Sequence, residues 1–190
     1  MLNYSGGGVD DIRWLDEEEQ RTWRSFLTAS RLLWDRVERQ LQQGAGLPHA
    51  YYEILARLSE APDRRLRMSR LASTSLSSRS RLSHAVTRME EAGWVVRRPC
   101  PSDKRGQLAE LTDAGMERLR EAAPGHVEEV RALLFDQLSA TQLAALREIS
   151  DVLVGHLSSE PLWPAVGDAH AEHATPVRTA GPEPSLPAGN

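Results

Sequence analysis

The stretch MSRLASTSLSSRSRLSHAVTRMEEAG, residues 68–93, carries the strongest structural signal in the chain. It reads as two short helices joined by a polar turn. Leu71 and Ala72 lie on the inner face of the first, and Leu82, Ala85, Val86 and Met89 recur on the second with the spacing of a helix buried along one side. Ser77 is expected to cap the second helix and Gly93 to stop it. This is helix-turn-helix spacing. With Leu82 set inward and about 100° of rotation per residue, Ser80, His84 and Thr87 point away from the core, flanked by Arg81, Ser83 and Arg88, with Ser78 and Arg79 at the start. Short hydroxyls, one His and arginines are what a helix needs on the face that enters a DNA major groove.

The chain then continues WVVRR (94–98), PCPSDKRG (99–106) and QLAEL (107–111). A β-prone run, a turn-forming loop and an alternating run make a hairpin immediately after the second helix. A hairpin tip bearing Lys104 and Arg105 forms a wing that can place an arginine in a minor groove beside the groove the helix reads. Arg97, in the first strand, joins them as an expected DNA contact. Asp103 is the odd member, since phosphates would repel it; its expected task is to hold Arg105 by a charge-assisted hydrogen bond and brace the loop.

Charge supports this reading once it is mapped along the chain. The 190 residues carry a formal net charge of −4, but residues 64–105 hold eleven Arg or Lys against three acids, a local excess of +8 that leaves −12 for the rest. A basic island in an acidic protein is the footprint of a phosphate-binding surface. Of the 23 basic residues only Lys104 is lysine, so the abundance of arginine carries no functional signal, whereas its clustering does.

Around the island the pattern is helical. Trp23, Phe26, Leu27, Leu33, Trp34, Val37 and Leu41 follow a spacing near 3.6 and predict a long amphipathic helix ended by Gly44 and Gly46. Tyr51, Ile54, Leu55 and Leu58 predict a shorter one, stopped by APD at 61–63. Thr112 can cap a helix from Asp113, which Pro124 and Gly125 are expected to kink or interrupt. Ser139 with Gln142 forms a capping box for a last helix carrying Leu143, Leu146, Ile149, Leu153 and Leu157. The first and last helices hold more apolar stripe than a small winged domain can cover, so a partner chain is the natural cover. After Glu160 the composition turns to Pro, Ala, Gly and His, which predicts disorder.

The motif DKRG followed by LTDAG, after a helix ending RMEEAGWVVRR, resembles the MarR-type winged helix-turn-helix regulators over residues 12–158. The resemblance implies a homodimer whose first and last helices intertwine, two winged domains reading a palindrome, and often a small-molecule effector between the dimer-forming and DNA-binding parts. The fold class is therefore mainly α with a small β-hairpin wing. The organisation is a flexible 1–11, dimerisation helices over 12–46 and 113–158, a winged DNA-binding part over 47–112, and a disordered 159–190. One departure is visible: the turn STSLSS puts Ser75 where the family often has Gly, a strained choice if a positive φ is required there.

Two function classes remain. One is a homodimeric, ligand-responsive repressor that binds double-stranded DNA at a pseudo-palindromic operator; the other is a winged-helix protein-interaction module without specific DNA binding. An enzyme is not expected, because no G-x-S-x-G, P-loop, H-E-x-x-H or glycine-rich nucleotide turn occurs. No cofactor is expected either. His170 and His173 have the i, i+3 spacing of a metal pair but lack acidic or Cys partners at ligand spacing, so no metal site is expected. Trp34, His49, Tyr51 and Tyr52 can line an effector pocket, with core packing as the competing reading. A lone Cys100 excludes an internal disulfide framework, and between Pro99 and Pro101 it reads as a passive wing residue. No apolar run of about 18 residues and no N-terminal signal pattern are present, which points away from membranes and to the cytoplasm.

Overall fold

The computed structural model describes residues 12–74, 78–100 and 103–158, without the side chains of Thr74, Arg79 and Asp103 to Arg105. The expectations for residues 1–11, Ser75, His170, His173 and the tail 159–190 lie outside the described residues. In chain order the elements are α1 (Glu17–Ala45), α2 (His49–Glu60), a 3-10 turn (Pro62–Arg64), β1 (Arg65–Arg67), α3 (Met68–Thr74), α4 (Arg79–Glu91), β2 (Val95–Cys100), β3 (Asp103–Leu111), α5 (Asp113–Leu133), a second 3-10 turn (Phe135–Gln137) and α6 (Ala140–Leu157). Mainly helical, with one small antiparallel sheet in the order β1-β3-β2, this is a winged helix-turn-helix flanked by long helices.

Local chemistry explains the boundaries. Asp16 accepts from Glu19 N while the Glu19 side chain takes the Asp16 N–H, a capping box that starts α1 six residues before its apolar series begins at Trp23. Gly46 ends α1 in the left-handed region at φ 59°, donating to the carbonyls of Gln42 and Leu41. Thr112 caps α5 and Ser139–Gln142 forms the capping box of α6, as their spacing predicts.

The structure corrects the sequence reading at three places. The cap of α4 is Ser78, not Ser77: its hydroxyl accepts from Arg81 N, the N3 position that cap geometry requires. Pro124 does not interrupt α5, which is continuous from Asp113 to Leu133. An interior proline costs about 3 kcal/mol, but Pro124 is exposed, where water can take the acceptor it frees, and packing of α5 along α1 offsets the cost. Finally, Arg65–Arg67 form a third strand that local pattern does not reveal. Leu66 pairs with Ala109 across the sheet, so β1 exists because β3 is there to receive it.

The core lies where the winged part meets the end of α1 and the start of α5. Leu41, Leu47, Leu55, Leu58, Leu71, Val86, Met89 and Val95 are fully buried, joined by Leu82, Ala109 and Leu111 from the faces of α4 and the sheet. At Gly115 a Cβ would come within 2.1 Å of the Trp94 carbonyl, so only glycine lets the first turn of α5 press against the α4–β2 connection. That close approach fixes the long helices relative to the wing. Among the described residues no helix is long and apolar enough to cross a membrane.

Candidate nucleic-acid interface

Helix α4 presents two faces of opposite chemistry. Leu82, Val86 and Met89 are buried, while Ser78, Ser80, Arg81, Ser83, His84, Thr87 and Arg88 are all exposed. The inward direction assigned from Leu82 therefore holds along the helix. Thr87 is engaged locally: its hydroxyl donates to the Ser83 carbonyl at 3.0 Å and accepts from Arg97 at 3.1 Å. Arg88 lies 3.0 Å from Glu91 in an exposed pair, whereas Arg81 donates its backbone N–H to the Ser78 cap.

The wing is a hairpin of β2 and β3, with Val95 opposite Leu111 and the ladder irregular between Pro99 and Cys100. The backbone of Asp103, Lys104 and Arg105 opens β3 at the tip. The expected bond between Asp103 and Arg105 lies outside the described side chains. Cys100 is buried. Among the described residues no group of three or more His, Cys, Asp or Glu is placed to hold a metal ion.

Acids temper the basic island. Glu110 sits 3.1 Å from Arg65 and 3.4 Å from Arg98, and Asp113 sits 3.0 Å from Arg64. Such exposed pairs are worth about 0–1 kcal/mol, so these arginines can exchange an acid for a phosphate at little cost. Arg97 differs. Its side chain is only 20% exposed, and its guanidinium is held by the carboxylate of Glu90 and by the Ser83 carbonyl at 2.8 Å.

An aromatic and histidine cluster lies where α1, α2 and α5 meet. The His49 ring stands edge-on to Trp34 at 5.0 Å and 6.2 Å from His126, and Tyr52 lies 4.3 Å from His126. Trp34 is 56% exposed and forms the open side. Tyr51, expected in the same lining, is partly buried and packs against the core. His126 was not visible in the sequence as a member, because nothing near it in α5 marks the helix face that meets α2. Its Nδ1 and the Oε1 of Gln40 are buried without a hydrogen-bond partner among the described residues. Burial, and then the neighbouring charge of His49, lowers the His126 pKa below its ordinary value; burial, and then Glu60, raises that of Tyr52. The cluster can accept a hydrogen bond from an organic molecule while stacking against it.

Comparison with known proteins converges with this geometry. Residues 45–106 match the model of the MarR family. The chain is 33% identical to the repressor YetL of Bacillus subtilis over 48% of this chain and 54% of that protein, and 32% identical to the regulator PecS of Dickeya dadantii over 41% and 48%. The matches thus span about half the length of these two relatives. Among solved structures, Sco3205 of Streptomyces coelicolor, a MarR family transcriptional regulator in complex with DNA, superimposes with a TM-score of 0.73 at 53% identity, covering 79% of this chain and 99% of that one. AbsC of the same organism gives 0.72 at 44% identity, covering 77% and 98%. With a winged fold whose exposed helix is polar and basic, and more than half of its aligned residues shared with one such regulator along almost that regulator's entire length, this chain belongs to the MarR family, whose members are transcriptional regulators and not enzymes.

Proposed function

We propose that the protein is a sequence-specific DNA-binding repressor that acts as a homodimer on a pseudo-palindromic operator and responds to a small organic effector. The observation that carries this reading is the division of α4, sealed along Leu82, Val86 and Met89 and exposed along Ser80, Arg81, Ser83, His84 and Arg88. Ser80, Ser83 and His84 read base edges, while Ser78, Arg79, Arg81 and Arg88 hold phosphates at the groove margins. Lys104 and Arg105 at the wing tip enter the adjacent minor groove, with Asp103 as their brace. The related Sco3205 was solved with DNA, and YetL is a repressor, which favours the same activity here.

Residues 47–112 form the DNA-binding part, and residues 12–46 and 113–158 form the dimerisation helices. Apolar surface supports this division. Trp23, Phe26 and Leu27 on α1 and Ile149, Val152, Leu153 and Leu157 on α6 are exposed in the single chain, and a second copy covers them. The effector sits against Trp34, His49, Tyr52 and His126, where it would satisfy the unpartnered Nδ1 of His126. Leaving such a buried atom unbonded costs about 1–3 kcal/mol.

A gel shift with DNA from upstream of the protein's own gene, competed by unrelated duplex, tests the reading. Retardation that survives a large excess of unrelated DNA is expected. Equal competition by both DNAs at fixed salt would leave only phosphate attraction and remove the sequence-reading role.

A further inference from the structure

Arg97 is buried too well for a residue whose only task is to meet a phosphate. It sits on β2 opposite Ala109, on the face of the sheet turned toward α4, since Ala109 is fully buried. Its backbone N–H donates to Glu90 Oε1 at 2.9 Å, and its Nη1 donates to the other oxygen of the same carboxylate. Its Nη2 donates to the Ser83 carbonyl at 2.8 Å and to the Thr87 hydroxyl at 3.1 Å. Ser83, Thr87 and Glu90 are spaced i, i+4 and i+7, so one side chain of the wing grips about two turns of α4 along one line.

Apolar packing does not do this job well. Leu82, Val86 and Met89 hold α4 against the core, but hydrophobic contact is non-directional and tolerates small rotations of a helix. A planar guanidinium with fixed donors does not tolerate them, because its bonds depend on angle as well as distance. Rotating α4 by a fraction of one residue would break at least one of the three contacts.

We propose that Arg97 is a positioning residue: it locks the rotation of α4 against the wing, and so sets which side chains, Ser80 and His84 first, meet the base edges. The proposal rests on the DNA-reading role of α4 given above. It assigns to Arg97 no contact with DNA.

The test compares Arg97→Ala, Arg97→Lys and Glu90→Gln in the full chain for affinity to the upstream operator, affinity to unrelated duplex, and salt dependence. Positioning predicts that Arg97→Ala lowers the ratio of specific to non-specific affinity by about tenfold or more while non-specific binding and its salt slope stay unchanged. Arg97→Lys, a point charge without the fork, fails to restore the ratio. Glu90→Gln, nearly isosteric and so the variant that serves if Arg97→Ala folds poorly, lowers it in the same direction.

A phosphate contact predicts the opposite at each step. Both DNAs would be lost equally, the salt slope would shrink by about one, lysine would rescue, and Glu90→Gln would tighten binding by releasing the cation. Any of these results overturns the proposal. A wild-type protein without preference for any upstream DNA would remove the DNA-reading role, and the proposal with it; an Arg97→Ala variant that keeps the wild-type preference would remove the positioning role alone.

Discussion

In the winged part, Leu58, Leu71, Val86, Met89 and Val95 are fully buried, whereas α6, with as many apolar residues along its length, buries none. Val152 is 68% and Leu157 78% exposed. The two regions obey the same helical patterning, so the difference does not come from local sequence. It comes from what each stripe finds in its own chain. The stripe of α4 finds α2, α3 and the sheet, while among the described residues those of α6 and of the first turns of α1 stay mostly exposed. The first region closes against other parts of the same chain; the exposed stripes of the second are expected to meet a second copy.

The core of the winged part is the most costly place to perturb. Met89→Ala is expected to cost about 2–5 kcal/mol of folding stability, by the same amount at every protein concentration, as read by denaturant unfolding. A cost that shrinks with concentration would show that the winged part depends on the neighbour as well.

Val152→Ala on α6 should behave differently. The loss expected is roughly 1–3 kcal/mol, carried by dimerisation rather than by the fold of one copy. In wild type the melting temperature should rise with protein concentration, and the variant should melt below wild type wherever both are dimers, the gap closing only at concentrations low enough to leave both as monomers. A melting temperature independent of concentration in both would mean that α6 lies bare in solution.

The smallest effect concerns the junction between the two regions. The His126 pKa is lowered by burial and by the charge of His49, so the unfolded chain takes up this proton at higher pH than the folded one. Stability contributed by the neutral ring is therefore complete above the ordinary His value of about 6.5 and is lost as pH falls below it. The stability difference between wild type and His126→Gln should shift against wild type between pH 7 and pH 5. A difference that stays flat over that range would deny the junction any pH sensitivity.

How much of this was legible in the sequence follows the range of the interactions. The two helices of residues 68–91, the hairpin, the cap at Thr112 and the capping box at Ser139 were legible, because each is specified within a few residues by periodicity or by one side chain meeting one nearby N–H. Strand β1 was not, since three residues acquire an extended pairing only from β3, some forty positions later. The grip of Arg97 on Ser83 and Glu90 was hidden for a related reason: its neighbours in sequence are basic and β-prone, which reads as an exposed DNA contact, and only the fold turns that strand face toward α4. His126 was hidden by distance, 74 positions from Tyr52, whose ring it meets. The continuity of α5 through Pro124 contradicts a local rule that tertiary packing overrides.

Two copies, joined through the exposed stripes of α1 and α6, are expected to present two winged parts to one duplex. A hydroxyl-radical footprint on the upstream operator, at a protein concentration where sedimentation gives a dimer, reads this arrangement off the DNA. Two protected half-sites related by a pseudo-dyad are expected, with centres about 34–36 Å apart, one turn of the double helix. A single protected half-site, bound by one copy with full affinity, would contradict it.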